Sequence, residues 1–68
     1  MRVVANGRER QAQEGATVAD LVADLGHDPA RPGVAVAVNG AVVPRRAWQA
    51  RMLMDGDQVE VLGAVQGG

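Results

Sequence analysis

The sequence predicts an α+β domain, and three of its features do so. Two Asn-Gly pairs, Asn6-Gly7 and Asn39-Gly40, each separate two short extended stretches. Asn-Gly is the strongest short hairpin signal, because a type I′ turn needs positive φ at both central residues. Between the hairpins lies one amphipathic segment with a start signal at Thr17 and a stop signal at Gly26. After them comes Gln58-Val59-Glu60-Val61-Leu62, whose Val59 and Val61 give a strand one inward face.

Taken in order, Met1 to Ala5 reads as the first strand and Arg8 to Gln13 as its return. A two-residue loop sets Ala5 opposite Arg8, Val3 opposite Arg10 and Met1 opposite Ala12. Arg10 then shares a face with Val3, which is tolerable only where the arginine snorkels at a sheet edge. Glu14-Gly15 breaks the strand. Thr17-Val18-Ala19-Asp20 has capping-box form, with the hydroxyl accepting from first-turn N–H groups and Asp20 reaching back. Val18, Leu21, Val22 and Leu25 fall on one apolar stripe, and Ala19, Asp20, Ala23 and Asp24 on the other side. Gly26 suits the C′ position, so the helix runs for about two turns.

His27 to Gly33 contains Pro29 and Pro32 and reads as a connecting loop, with His27 in a local role near the carbonyl-rich helix end. Val34-Ala35-Val36-Ala37-Val38 is apolar throughout, as in a strand covered on both faces or mostly buried. Ala41-Val42-Val43 returns beside it, and Pro44 ends the pairing because it has no N–H to give. A helical turn is expected around Ala47-Trp48-Gln49, with Trp48 capping the core and Leu53 buried. Asp55-Gly56-Asp57 forms a tight turn before the last strand. A hairpin, a helical crossover, a second hairpin and a closing strand make the β-grasp (ubiquitin-like) arrangement. That is a mixed sheet of four to five strands with one main helix on one face. The place of the closing strand beside the first rests on analogy with that fold. Residues 1–64 are read as the domain and residues 65–68 as a flexible tail.

Composition narrows the function. The chain has 68 residues, near the size at which one core is only marginally stabilising. No apolar run approaches the roughly 20 residues of a membrane span, and no signal peptide opens the sequence, so a cytoplasmic location is expected. There is no Cys, Ser, Lys or Tyr; Thr17 is the only side-chain hydroxyl and His27 the only histidine. Covalent catalysis needs a nucleophile and a base to activate it, so an enzyme is not expected. A carboxylate pair is the formal exception, but Asp28, Asp55 and Asp57 all stand in turn contexts. No metal or cofactor of its own is expected. A net charge of −1 argues against nucleic acid. Arg45, Arg46 and Arg51 cluster around Trp48, either as a solvated loop face or as a docking surface.

The sequence ends Ala64-Val65-Gln66-Gly67-Gly68, directly after the last strand. Two glycines without Cβ atoms can thread a narrow channel and leave the last carbonyl open to attack. The plainer alternative is a frayed end. Leu62, Ala64 and Val65 lead into this tail, and an apolar patch there on the sheet face away from the helix would suit docking.

At this point the chain resembles the ubiquitin-like sulfur carriers of the ThiS and MoaD type, over nearly its whole length. The likeness rests on Val3-Val4-Ala5-Asn6-Gly7 and on Gly15-Ala16-Thr17-Val18-Ala19-Asp20-Leu21. It continues through Val36-Ala37-Val38-Asn39-Gly40, Val42-Val43-Pro44-Arg45 with Trp48, and Asp55-Gly56-Asp57-Gln58-Val59-Glu60-Val61, ending at Gly67-Gly68. MoaD-type chains tend to be longer and to lack the Val-Pro-Arg…Trp segment, which favours the ThiS branch of thiamine biosynthesis. The resemblance implies that a ThiF-like enzyme, using ATP and magnesium, adenylates Gly68. A persulfide sulfur donor then makes the thiocarboxylate, which thiazole synthase (ThiG-like) consumes. It further implies that Gly67, Gln66 and Val65 thread the partners' active sites, with Leu62, Ala64 and Arg45 as docking residues and the free chain a monomer. The rival readings are a MoaD-like carrier for molybdopterin synthesis and a ubiquitin-like conjugating tag. Absence of lysine counts against a tag that polymerises on itself.

Overall fold

A computed structural model of the chain describes residues 1–63. Both Asn-Gly turns form as expected, with φ of 51° at Asn6 and at Asn39, and 81° and 84° at the glycines that follow. The first joins β1 (Arg2–Ala5) to β2 (Arg8–Gln11), with Val3 opposite Arg10 and Ala5 opposite Arg8. Both strands are shorter than the sequence suggested, yet Ala12 N–H still donates to the Met1 carbonyl at 2.8 Å. Arg8 and Arg10 share the side of Val3 and stay exposed, because β2 is an edge strand.

Helix α1 (Val18–Asp24) has the predicted box. Thr17 Oγ1 accepts from the Asp20 N–H at 3.2 Å, and the Asp20 carboxylate accepts from the Thr17 N–H at 2.9 Å. At the other end Gly26 N–H donates to the Ala23 carbonyl and His27 N–H to the Val22 carbonyl, the Schellman pattern, with Gly26 at φ 93°. Val18, Leu21 and Val22 are buried and Leu25 is half-buried against them. Ala19, expected on the outer side, is half-buried as well. The connection between the second hairpin and the last strand wraps the start of the helix, and Ala19 N–H donates to the Trp48 carbonyl.

The sheet order is β2-β1-β5-β3-β4. The last strand, β5 (Gln58–Gly63), lies at the centre, parallel to β1 and antiparallel to β3 (Val34–Val38), with β4 (Ala41–Val43) outside. Its inward residues Val59 and Val61 join Val3, Ala5, Val36 and Val38 beneath the helix, and Trp48 and Leu53 close the core. Trp48 is buried, and its indole N–H donates to the Val43 carbonyl at 2.8 Å. The helical turn before it is a 3₁₀ turn over Arg45–Ala47, earlier than expected. Pro44, at φ −64°, sets its start.

Of the two readings of β3, covered on both faces or mostly buried, the first does not hold. Val36 and Val38 are buried, but Ala35 is exposed and Ala37 only half-buried. One helix covers one face, so the strand alternates large residues inward with small ones outward.

The central place of β5 uses both turn asparagines. β1 ends at Ala5, and its ladder to β5 finishes with the Asn6 N–H donating to the Val59 carbonyl at 2.9 Å. Beyond that rung the Asn6 carboxamide accepts from the Val61 N–H at 2.9 Å and donates to the Val61 carbonyl at 3.1 Å. At the other end of β5, Asn39 accepts from the Gln58 N–H at 2.9 Å and donates to the buried Asp57 carboxylate at 2.9 Å. Asp57 also accepts from the Met54 N–H at 2.8 Å and lies 3.7 Å from Arg51.

Two stability predictions follow from these contacts. Leu21→Ala removes a large buried side chain and should cost about 2–5 kcal/mol in denaturant melts, while Ala23→Ser on the exposed side changes little. Asn6→Gly keeps a residue able to hold positive φ but deletes both bonds to Val61, and should cost about 1–3 kcal/mol. If that variant melts like the native chain, the carboxamide rung is dispensable.

Candidate functional site

The sheet face opposite the helix is open. Alternation along each strand puts Leu62, Ala35, Ala37 and Val42 on this face. Leu62 pairs with Ala35, and Ala37 with Val42, so the four are contiguous across β5, β3 and β4. Leu62 is 68% exposed and Val42 79%. The patch lies beside the end of β5, and contiguous exposed apolar patches are where interaction sites are sought. Glu60, opposite Ala37, gives the patch a charged rim.

Of the docking residues expected from sequence, Leu62 is on this face. Ala64 lies outside the described residues, as do the tail residues Val65, Gln66, Gly67 and Gly68 and the expected boundary between domain and tail. Arg45 is not on the face. Its guanidinium stacks on Trp48, 4.5 Å from the ring centroid, and it donates to the Pro29 carbonyl on the helix side of the sheet. Sequence reasoning missed Ala35, Ala37 and Val42. The signal was present in the alternation of Val and Ala along 34–38, which marks the outward positions as the small ones.

The three aspartates that left a carboxylate pair formally open are each tied to backbone amides. Asp28 accepts from the Ala30 N–H, Asp55 from the Arg2 N–H, and Asp57 from the Met54 N–H. Asp28 and Asp57 stabilise their own turns, and Asp55 ties its turn to β1. Among the described residues no group of three His, Asp or Glu side chains is placed to hold a metal ion. No helix of the described residues is long and apolar enough to cross a membrane. What the fold offers is a central strand that ends at Gly63 and an apolar face beside that end.

The model of the ThiS family matches residues 1–68. The chain belongs to the ThiS family. It is 34% identical over 68 residues to the sulfur carrier protein ThiS of Escherichia coli K12, with all of both chains covered. The crystal structure of a thiamine biosynthesis protein (ThiS) from Geobacter metallireducens superposes with a TM-score of 0.77 at 34% identity, again covering both chains fully. The β-grasp fold is therefore the family's fold. The chain is a sulfur carrier of thiamine biosynthesis and not a catalyst in its own right. The whole chain is also 38% identical to a region of the thiazole synthase of Magnetococcus marinus, of which it spans 20%. A second thiazole synthase, from Paramagnetospirillum magneticum, shows the same relation at 35% identity. In both of these proteins a region similar to this chain is part of a thiazole synthase.

Leu62→Asp tests whether the patch belongs to the fold or only to a partner. Because Leu62 stands on the open face, the substitution should change stability by no more than about 0.5 kcal/mol in thermal or denaturant melts. A large loss would mean that Leu62 is part of the core.

Proposed function

We propose that this chain carries sulfur as a thiocarboxylate on Gly68 in the cytoplasm, charged by a ThiF-like adenylating enzyme and discharged on thiazole synthase. A terminal carboxylate, with an ordinary pKa of about 3.5, is ionised at neutral pH and resists nucleophiles, so it must be activated. A Gly68 carboxylate oxygen attacks the α-phosphorus of ATP and pyrophosphate leaves. A sulfur nucleophile then attacks the acyl carbon and AMP leaves; with sulfide the product is the thiocarboxylate directly. With a persulfide donor the product is an acyl disulfide, from which a second thiol releases the thiocarboxylate. ATP, magnesium and the persulfide cysteine all belong to partners. The sequence has no Cys, Ser, Lys or Tyr, and its reactive atom is its own terminal carbon.

The observation that carries this reading is the juxtaposition of an open apolar face with the strand end from which the tail departs. A partner seated on Leu62, Ala35, Ala37 and Val42 is within reach of Gly68. Five residues of extended chain span at most about 17 Å, enough to enter an active site next to the docking surface. Gly67, Gln66 and Val65 would thread the partner's active site, where glycine without a Cβ suits a narrow channel.

Deleting Gly68, or adding one residue after it, should abolish charging and leave the melt unaltered. One residue moves the carboxylate by about 3.3 Å, far outside in-line attack geometry. Gly67→Val keeps the length and adds a branched Cβ, and should slow charging strongly. Pyrophosphate exchange with a ThiF-like enzyme reads all three variants. With sulfide added, intact mass should show one oxygen replaced by sulfur on the native chain. Equal rates for native, lengthened and Gly67→Val chains would reduce Gly-Gly to a frayed end.

A further inference from the structure

Gly63 ends β5 as an exposed residue with one side chain close to its backbone. Gly7, Gly15, Gly26, Gly40 and Gly56 all have positive φ, and a Cβ at any of them would meet nothing within 4 Å. Gly63 is the reverse. Its φ lies outside the left-handed region, and a Cβ there would stand 2.8 Å from His27 Cε1 and 3.4 Å from His27 Nδ1. Glycine serves here to make room for a ring, not to bend the backbone.

The alternation of β5 puts Gly63 on the side of Val59 and Val61, and its partner across the sheet is Val34. His27 comes to it from the end of α1, where the Schellman turn anchors its backbone through the bond to the Val22 carbonyl at 3.1 Å. The half-buried imidazole therefore takes the volume that a side chain at position 63 would fill. It does so at the last residue before the five that lead to Gly68.

We propose that His27 is a positioning residue for the carrier tail: seated on the bare Gly63 backbone, it closes the helix side of the strand end. The open face, which holds Leu62 and Ala35, is then the free side of that strand end. The proposal rests on the reading of Gly68 as the activated carboxylate. Each residue freed at the root of the tail multiplies the conformations among which the in-line one must be found. Docking through Leu62 makes no use of His27, so its loss should appear in the chemical step and not in binding.

The test is pyrophosphate exchange by a ThiF-like adenylating enzyme on the native chain, His27→Ala, Gly63→Ala and the double variant. Each single change should lower kcat by about three- to tenfold while KM stays within about twofold. The double variant should be no slower than the slower single, because one contact is removed in either way. His27→Phe, which keeps a flat ring over Gly63, should recover most of the native kcat. Native protein should also show a nuclear Overhauser effect between His27 Hε1 and Gly63 Hα. A purely structural role would lower Tm and leave kcat well below Tm unchanged. Native kcat in folded His27→Ala, or absence of the Overhauser effect, overturns the proposal. Should Gly63→Ala fail to fold, His27→Ala, which adds no atom, still decides it. A native chain that is never adenylated sinks the Gly68 reading, and this proposal with it, whereas adenylation indifferent to His27 sinks this proposal alone.

Discussion

The fold depends on seating its last strand in the middle of its sheet. β5 must find β1 on one side and β3 on the other, although β1 was made at the opposite end of the chain. β1 is too short to satisfy it. The strand stops at Ala5 because Asn6-Gly7 turns back, while β5 runs on to Gly63. Without help, the Val61 N–H and carbonyl on that side would lack partners in a sheet interior, and an unpaired buried amide costs more than a typical hydrogen bond returns. The Asn6 carboxamide supplies both, standing in for a missing residue of β1. Asn39 does the matching task where β5 begins, binding the Gln58 N–H and Asp57. Asparagine therefore serves twice at each turn, once through its tolerance of positive φ and once through its side chain.

Central seating has a functional consequence. The last described residue, Gly63, ends a strand inside the sheet and not at its rim, next to Leu62 and Ala35. One side of the sheet holds the molecule together and the other is open to solvent. Stability resides under the helix, in Val3, Val22, Val59, Trp48 and their neighbours, none of which reaches the open face. Under the proposed function, chemistry at Gly68 would be done by other proteins without disturbing that core. A domain so small has little stability to spare, and this separation of faces suits it.

Charged side chains follow the same division. Arg8, Glu9 and Arg10 occupy the β2 edge, where charge discourages pairing with another strand. Arg45 and Arg51, which sequence alone presents as a basic cluster, are spent on the connection around Trp48: one stacks on the indole, the other faces Asp57. The cluster is thereby part of how the irregular segment holds its shape over the core.

Much of this was legible without coordinates, because it rests on local chemistry. Positive φ at Asn-Gly, the Thr17–Asp20 box, the Gly26 stop and the Val18-Leu21-Val22 stripe each depend on residues within a few positions of one another. The absence of nucleophiles and the terminal Gly-Gly were equally plain, and they pointed to chemistry done on the chain and not by it. What the tertiary structure alone decided were relations between distant segments. Whether Val34–Val38 is covered on one face or two depends on how many helices lie against the sheet, and a run of apolar residues does not say. The second use of Asn6 needs Val61 beside it, and the reason for glycine at position 63 is a ring thirty-six residues earlier in the chain. Local sequence sets backbone preference, but which distant groups share a space is settled only when the whole chain has packed.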